Sequence, residues 1–299
     1  MELILHKIPI KQRDHGPFYV APIGDIQWSG KNGPTAKESL KRHIDRCLEL
    51  NAWYVGMGDF TDCFSPSNRA RLQSANLYDT ATDTIDEKML ELVHEVYDEF
   101  LRPTKGRWLG LLEGHHWAQL KSGETTDQRL AQLLKAPFLG SSAYINLQFR
   151  IYGAKLPVVF WVHHGCGGGM TPGAPLNRLD KVASRFEGAD VFIMGHTTRA
   201  PADRIPRPFP VWTARPKPKL VHREALLVNA GGFAKSYVEF SQQGRTPRGG
   251  YAEQRMLPPS SIGAPLIEIR PYIQNRSHQV NGKQISRRRM WMPEIKVIL

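Results

Sequence analysis

The sequence predicts an α/β fold, and three observations carry that expectation. Five short runs, Phe18 to Ile23, Trp53 to Met57, Trp108 to Leu112, Val158 to Val162 and Val191 to Met194, are rich in β-branched or aromatic residues and bounded by Gly. Runs of that length and composition read as buried strands. Segments with apolar residues at helical spacing separate them. Each run also ends in a polar cluster: Gly24-Asp25-Ile26-Gln27, Gly58-Asp59-Phe60-Thr61-Asp62, Gly114-His115-His116, His163-His164-Gly165 and Gly195-His196-Thr197-Thr198. In α/β folds the carboxyl ends of strands converge on one crevice, so residues far apart in sequence meet there.

Taken in order, Pro34 to Leu50 alternates charged residues with Ala, Leu, Ile and Cys at helical spacing and predicts an amphipathic helix between the first two strands. Phe64 to Asp83 reads as a polar insertion beside the second cluster. Thr84 to Leu101 predicts the next helix, opened by Asp83 or Thr84 and closed at Arg102-Pro103. Thr125 to Lys135 begins Thr-Thr-Asp and predicts a third helix. Ala143 to Ile151 and Pro157 to Val162 predict adjacent strands, and Pro175 to Phe186 a helix with Pro in its first turn. From Arg199 to Arg223 prolines interleave with Arg and Lys, which predicts an extended basic segment. Leu220 to Asn229 and Leu266 to Arg270 read as the last strands, with Arg287-Arg288-Arg289 in a basic appendage. The expected organisation is an N-terminal segment 1–17, a main domain 18–273 with a basic Pro-rich insertion near 199–219, and a tail 274–299.

Composition narrows the function classes. A hydrophobic content of 41% over 299 residues supplies a core and argues against global disorder. Met1 to Gly16 predicts no signal peptide, and no run reaches membrane-spanning length. Cys47, Cys63 and Cys166 form no CxxC pair, so a disulfide framework is not expected, and a cytoplasmic setting is. A formal charge of +12 favours a polyanionic partner such as nucleic acid.

The clusters, in order, resemble the calcineurin-like metallophosphoesterase superfamily, whose motifs are DxH, GDxxD, GNH, a His before Gly, and GHxH. The resemblance spans Phe18 to Phe233 and includes the later Val228-Asn229-Ala230-Gly231-Gly232 stretch. It implies a four-layer αββα sandwich, two mixed sheets flanked by helices, with two divalent ions at the strand ends. By position it implies Asp25 on the first ion, Asp59 bridging both, and His164 and His196 on the second. His116 falls where the family has its catalytic His, as proton donor or stabiliser of transition-state charge. Asp62 is expected to support its turn by hydrogen bonds, and His163 to stand behind the ligands or in the core.

Three positions depart from the family pattern. Gln27 stands for His, His115 for Asn, and Thr198 for the final His of GHxH. The resemblance therefore implies unequal sites: Asp59, His115, His164 and His196 around one ion, and Asp25, Asp59 and Gln27 around a weaker, oxygen-rich one, with Mn preferred and Mg, Fe or Zn as other occupants. The expected activity is phosphodiester hydrolysis of DNA or RNA by metal-activated water. Arg199, Arg204, Arg207 and Arg215 would follow the backbone and Trp212 would stack on a base. A small-molecule or nucleotide phosphatase and a non-catalytic nucleic-acid binder are the alternatives. Gly165 to Gly169 lacks the Walker Lys-Ser/Thr ending and reads as close backbone approach beside the ions. The general style also resembles uncharacterised phosphoesterases of bacteriophage and prophage genomes.

Overall fold

A computed structural model describes residues 4–11, 16–151, 153–169, 171, 173–211, 219–238, 251–280 and 283–298. Along the chain run β1 (Ile4–Lys11), β2 (Phe18–Ile23), α1 (Lys37–Glu49), β3 (Trp53–Gly56), α2 (Pro66–Ser74) and α3 (Asp79–Val96), then β4 (Trp108–Leu111) and α4 (Thr126–Leu134). They are followed by β5 (Ser142–Ile151), β6 (Ala154–His163), α5 (Ala174–Ala183), β7 (Val191–Met194), β8 (Ala202–Val211), β9 (Lys219–Asn229), α6 (Tyr251–Gln254), β10 (Leu266–Val280) and β11 (Lys283–Ile298).

The strands form two mixed sheets, ordered β1-β5-β6-β7-β9-β8 and β11-β10-β2-β3-β4. In the first, β6, β7 and β9 are parallel; in the second, β2, β3 and β4 are. Period-two alternation on β5 sends Ala143, Ile145, Leu147 and Phe149 inward, where they meet Val20, Val55, Leu109 and Ile267 of the other sheet. The opposite face of the second sheet packs on α1, α3 and α4 through Leu40, Ile44, Val93 and Leu130. The opposite face of the first packs on α5 through Leu179 and Ala183. The fold is therefore α/β with two mixed sheets and six α-helices among the described residues, an arrangement compatible with the expected sandwich. None of these helices is long and apolar enough to cross a membrane.

The structure refines the reading of four segments. The polar insertion is helical: α2 opens on Ser65, whose hydroxyl accepts from Asn68 N, and α3 starts at Asp79 and ends in a π-helical turn, Tyr97–Leu101. The Pro-rich segment near 199–219 is extended over its described part, as expected, and there forms a strand, β8, at the edge of the first sheet. Pro206, Pro208 and Pro210 share one parity, so the missing N–H groups all fall on one side, which an edge strand tolerates when that side faces away from its neighbour. The basic tail is no appendage: β11 pairs along β10, and its Trp291, Ile295 and Val297 pack against the core between the sheets. The N-terminal segment likewise contributes β1, parallel to β5.

Candidate metal centre

Because β2, β3, β4, β6, β7 and β9 end at the same side of the two packed sheets, the loops after them meet. Gly58 (φ +86°) and Gly114 make that meeting possible. A Cβ on Gly58 would lie 2.6 Å from Gly114 and 2.8 Å from His164 Nδ1, and one on Gly114 would lie 2.1 Å from Asp59 Oδ1. Five non-glycine residues on these loops, Asp25, Gln27, Asp59, His196 and Thr198, also hold left-handed backbone, with φ between +48° and +69°. That conformation costs energy for residues with a Cβ, and such positions cluster at functional sites.

Two groups of ligand atoms result, His115 with His164 and His196, and Asp25 with Asp59 and His196. Within each group the atoms lie within 4.8 Å of one another, close enough to hold a metal ion. His196 is thus in reach of both groups, where the resemblance assigned it to one. Asp25 is fully buried; its Oδ2 accepts from His196 N at 2.8 Å and its Oδ1 has no partner. Asp59 Oδ1 accepts from the backbone N–H groups of His115 and His116. Its Oδ2 is left unbonded, 3.3 Å from an equally unbonded His164 Nε2. Oδ2 is therefore the Asp59 oxygen left without a hydrogen-bond partner. The ring of His164 is oriented by donation from Nδ1 to the Met57 carbonyl at 2.6 Å, which aims Nε2 at Asp59; burial disfavours its charged form, yet Asp59 and Asp25 raise its pKa to about 9, so Nε2 must give up a proton before it can ligate.

The electrostatics fit a cation. Burial, reinforced by the charge of Asp59, pushes the Asp25 carboxyl up to about 7. Burial also acts upward on Asp59, but the neighbouring His164 outweighs it and holds that carboxyl below its usual range. Desolvation lowers the pKa of His196 to about 4 and also depresses that of His115, so both imidazoles are neutral and able to ligate. Their Nδ1 atoms stand 3.2 Å apart. Two buried carboxylates with orphaned oxygens and three converging imidazoles are a donor set that could hold a metal ion.

The remaining predicted residues separate clearly. His116 Nδ1 donates to Asp62 Oδ1 at 2.6 Å, so Asp62 fixes a ring instead of binding metal. Burial disfavours the charged ring, yet the hydrogen bond to Asp62 and the carboxylates of Asp59 and Asp25 raise the His116 pKa. Gln27 donates its backbone N–H to Asp59 O at 3.0 Å and is half-buried beside the centre. Thr198 places its methyl near Gly232, which itself abuts Asp25 Cβ. His163 turns away: strand alternation stacks it on Trp161 toward α5, and its Nδ1 accepts from Gly165 N.

The basic segment does not form one stripe. Arg204 pairs with Glu224 at 3.1 Å and donates to Ile295 O; Arg207, of opposite parity on β8, donates to Ala183 O and stacks over Phe192. The carbonyl of Arg199 accepts from Gly231 N. Trp212 and Arg215 lie outside the described residues.

Two residues that sequence reasoning missed shape the centre. Arg69 of α2 donates from Nη1 to the carbonyls of Phe64, His115 and Trp117 at 2.7, 2.6 and 3.0 Å, and stacks 3.9 Å from the Trp117 ring centroid. Buried Asp127, in the first turn of α4, accepts from Gly114 N at 2.8 Å, and burial raises its carboxyl to about 7. The Thr-Thr-Asp start of α4 was a visible signal for Asp127; the polar surroundings of Arg69 gave none. No protein-family profile matches this chain, and no curated protein does.

Proposed function

We infer that the protein is a metal-dependent phosphoesterase of the calcineurin-like metallophosphoesterase type, acting on phosphodiesters of DNA or RNA. The observation that carries this reading is the convergence of Asp25, Asp59, His115, His164 and His196 at one end of two sheets, with His116 held by Asp62 at their edge. The cluster suits Mn²⁺ best, because imidazole and carboxylate are mixed, and Fe²⁺, Zn²⁺ or Mg²⁺ next. A divalent ion held there would draw charge from phosphoryl oxygens and lower the pKa of a water to about 7.

The chain's own residues supply the rest. Asp59 and Asp25 provide the negative charge that anchors a cation, and His164 offers Nε2 while its Nδ1 is fixed. His116, with Asp62 stabilising its protonated ring, is placed to give a proton to the leaving oxygen. The net charge of +12 supports a polyanionic substrate over a small phosphate ester.

The test is hydrolysis of a phosphomonoester, a phosphodiester, and single- and double-stranded DNA and RNA with added Mn²⁺, for the native chain and Asp59→Asn. Native turnover of diesters and nucleic acid, lost in Asp59→Asn, is the expected result. Binding of nucleic acid without cleavage by either protein would remove the enzyme reading and leave the non-catalytic one.

A further inference from the structure

One cation near the centre is unaccounted for. Arg178 on α5 is half-buried, and among the described residues its guanidinium has no hydrogen-bond or ion-pair partner. It lies instead against the loop that follows His164. A Cβ on Gly167 would stand 2.5 Å from Nη1, 2.8 Å from Nη2 and 3.0 Å from Cζ, so the guanidinium fills the space a side chain at 167 would need. Helical side chains lean toward the helix N-terminus, which carries Arg178 from the second turn of α5 back to the strand ends.

That loop is tied to the metal-ligand cluster at its start. A Cβ on Gly165 would meet Gly195 O at 2.8 Å and His196 Cβ at 3.1 Å. Beyond it, residues 166–169 are exposed, Gly167 has φ +67°, and nothing lies within 4 Å of a Cβ built on Gly168. Gly167 is three positions beyond His164, a reach of about 11 Å at most. A fork of N–H donors thus stands beside bare backbone, close to the cluster, with no carboxylate among the described residues to satisfy it. Guanidinium forks match phosphate oxygens in geometry and charge.

We propose that Arg178 and the Gly165 to Gly169 loop form an anion subsite for a phosphate of the substrate adjacent to the one hydrolysed. This rests on the phosphoesterase reading above and adds to it a substrate class, a chain with at least two phosphates. Gly167 belongs to the subsite because any side chain there displaces the guanidinium.

The experiment uses the full Mn²⁺-loaded chain with Arg178→Ala, Arg178→Lys, Gly167→Ala and the double variant Gly167→Ala/Arg178→Ala. Turnover of a thymidine oligonucleotide is compared with that of bis(p-nitrophenyl) phosphate, which has one phosphate. Binding of a fluorescent oligonucleotide is followed by anisotropy over a salt series. The expected result is a rise of roughly tenfold to a hundredfold in KM for the oligonucleotide relative to the small diester in Arg178→Ala. Lys restores part of it, Gly167→Ala reproduces part of it, and the double variant is no worse than Arg178→Ala. The salt dependence of oligonucleotide binding should lose about one phosphate's worth of slope.

Native turnover with oligonucleotide KM and salt slope unaltered in Arg178→Ala would overturn the subsite and leave the phosphoesterase reading intact. An equal rise for both substrates would overturn the assignment to a second phosphate, placing Arg178 on the scissile one. If the native chain hydrolyses nothing while Arg178→Ala still weakens oligonucleotide binding, the phosphoesterase reading fails and the anion subsite stands.

Discussion

Replacing Arg69 by Met keeps the bulk of the side chain and removes its charge and donors. In the native chain one nitrogen, Nη1, faces the carbonyls of Phe64, His115 and Trp117. It carries two hydrogens, so the three contacts amount to about two full bonds. At roughly 1.5 kcal/mol for each bond from a charged donor, plus about 0.5 kcal/mol for stacking on Trp117, the sum is near 3.5 kcal/mol. Arg69 is half-buried and water will reach some of the released carbonyls, which brings the expected loss to about 2–3 kcal/mol. For a chain of this size that is a fall in melting temperature of about 3–5 °C. The same loop carries His115 and His116, so metal affinity should fall by about tenfold, the lower end of what outer contacts of a metal site contribute. Thermal melts and calorimetric Mn²⁺ titration measure both quantities. If melting temperature and metal affinity are both unaltered in Arg69→Met, the clamp assigned to Arg69 is wrong.

Calorimetric titration of the native chain should resolve one tight and one weaker site, the tight one from the imidazole-rich group; two equally tight zinc sites would refute the inequality inferred from Gln27 and Thr198. Saturation with Mn²⁺ at a hundredfold excess over Kd should stabilise the fold by about 2.7 kcal/mol, and a chelator should reverse it. Asp25→Asn relieves the repulsion between two buried carboxylates, so the metal-free variant should melt higher than the metal-free native chain while gaining less from Mn²⁺. His43, whose ring lies tilted against Phe233, has its pKa lowered by burial to about 4, so the unfolded chain takes up a proton first as pH falls. Stability should therefore be full above pH 6.5 and decline toward pH 4 by at most about 3 kcal/mol, a slope that denaturant melts of His43→Gln should lack.

The converging positions were legible in the sequence because they sit in short polar clusters after apolar runs, and each run ends where the chain must turn. Asp25, Asp59, His115, His164 and His196 meet as those clusters implied. His163 and His164 were separable once strand alternation was known, since His163 closes β6 on the face of Trp161 and the residue after it points the other way. The misses have physical reasons. The helix α2 buries no side chain among its own residues, so no periodicity announced it, and Arg69 acts through carbonyls that any sequence supplies. In β8 the prolines hid a strand, although their even spacing was itself the mark of an edge. In β11 the Arg287-Arg288-Arg289 run masked the alternation of Trp291, Ile295 and Val297 that brings the segment back onto the core.

The hydrogen bond from His196 N to Asp25 Oδ2 joins residues 171 positions apart and one sheet to the other. Closing so long a loop is slow in folding even though its entropic cost grows only logarithmically with length. No fragment ending before β7 contains both partners, so a nascent chain cannot assemble the centre until its second half has emerged and the sheets have docked. Under the proposed metal-dependent reading, ion capture follows that docking, and a kinetic trace of Mn²⁺ uptake during refolding would report the docking of the two sheets.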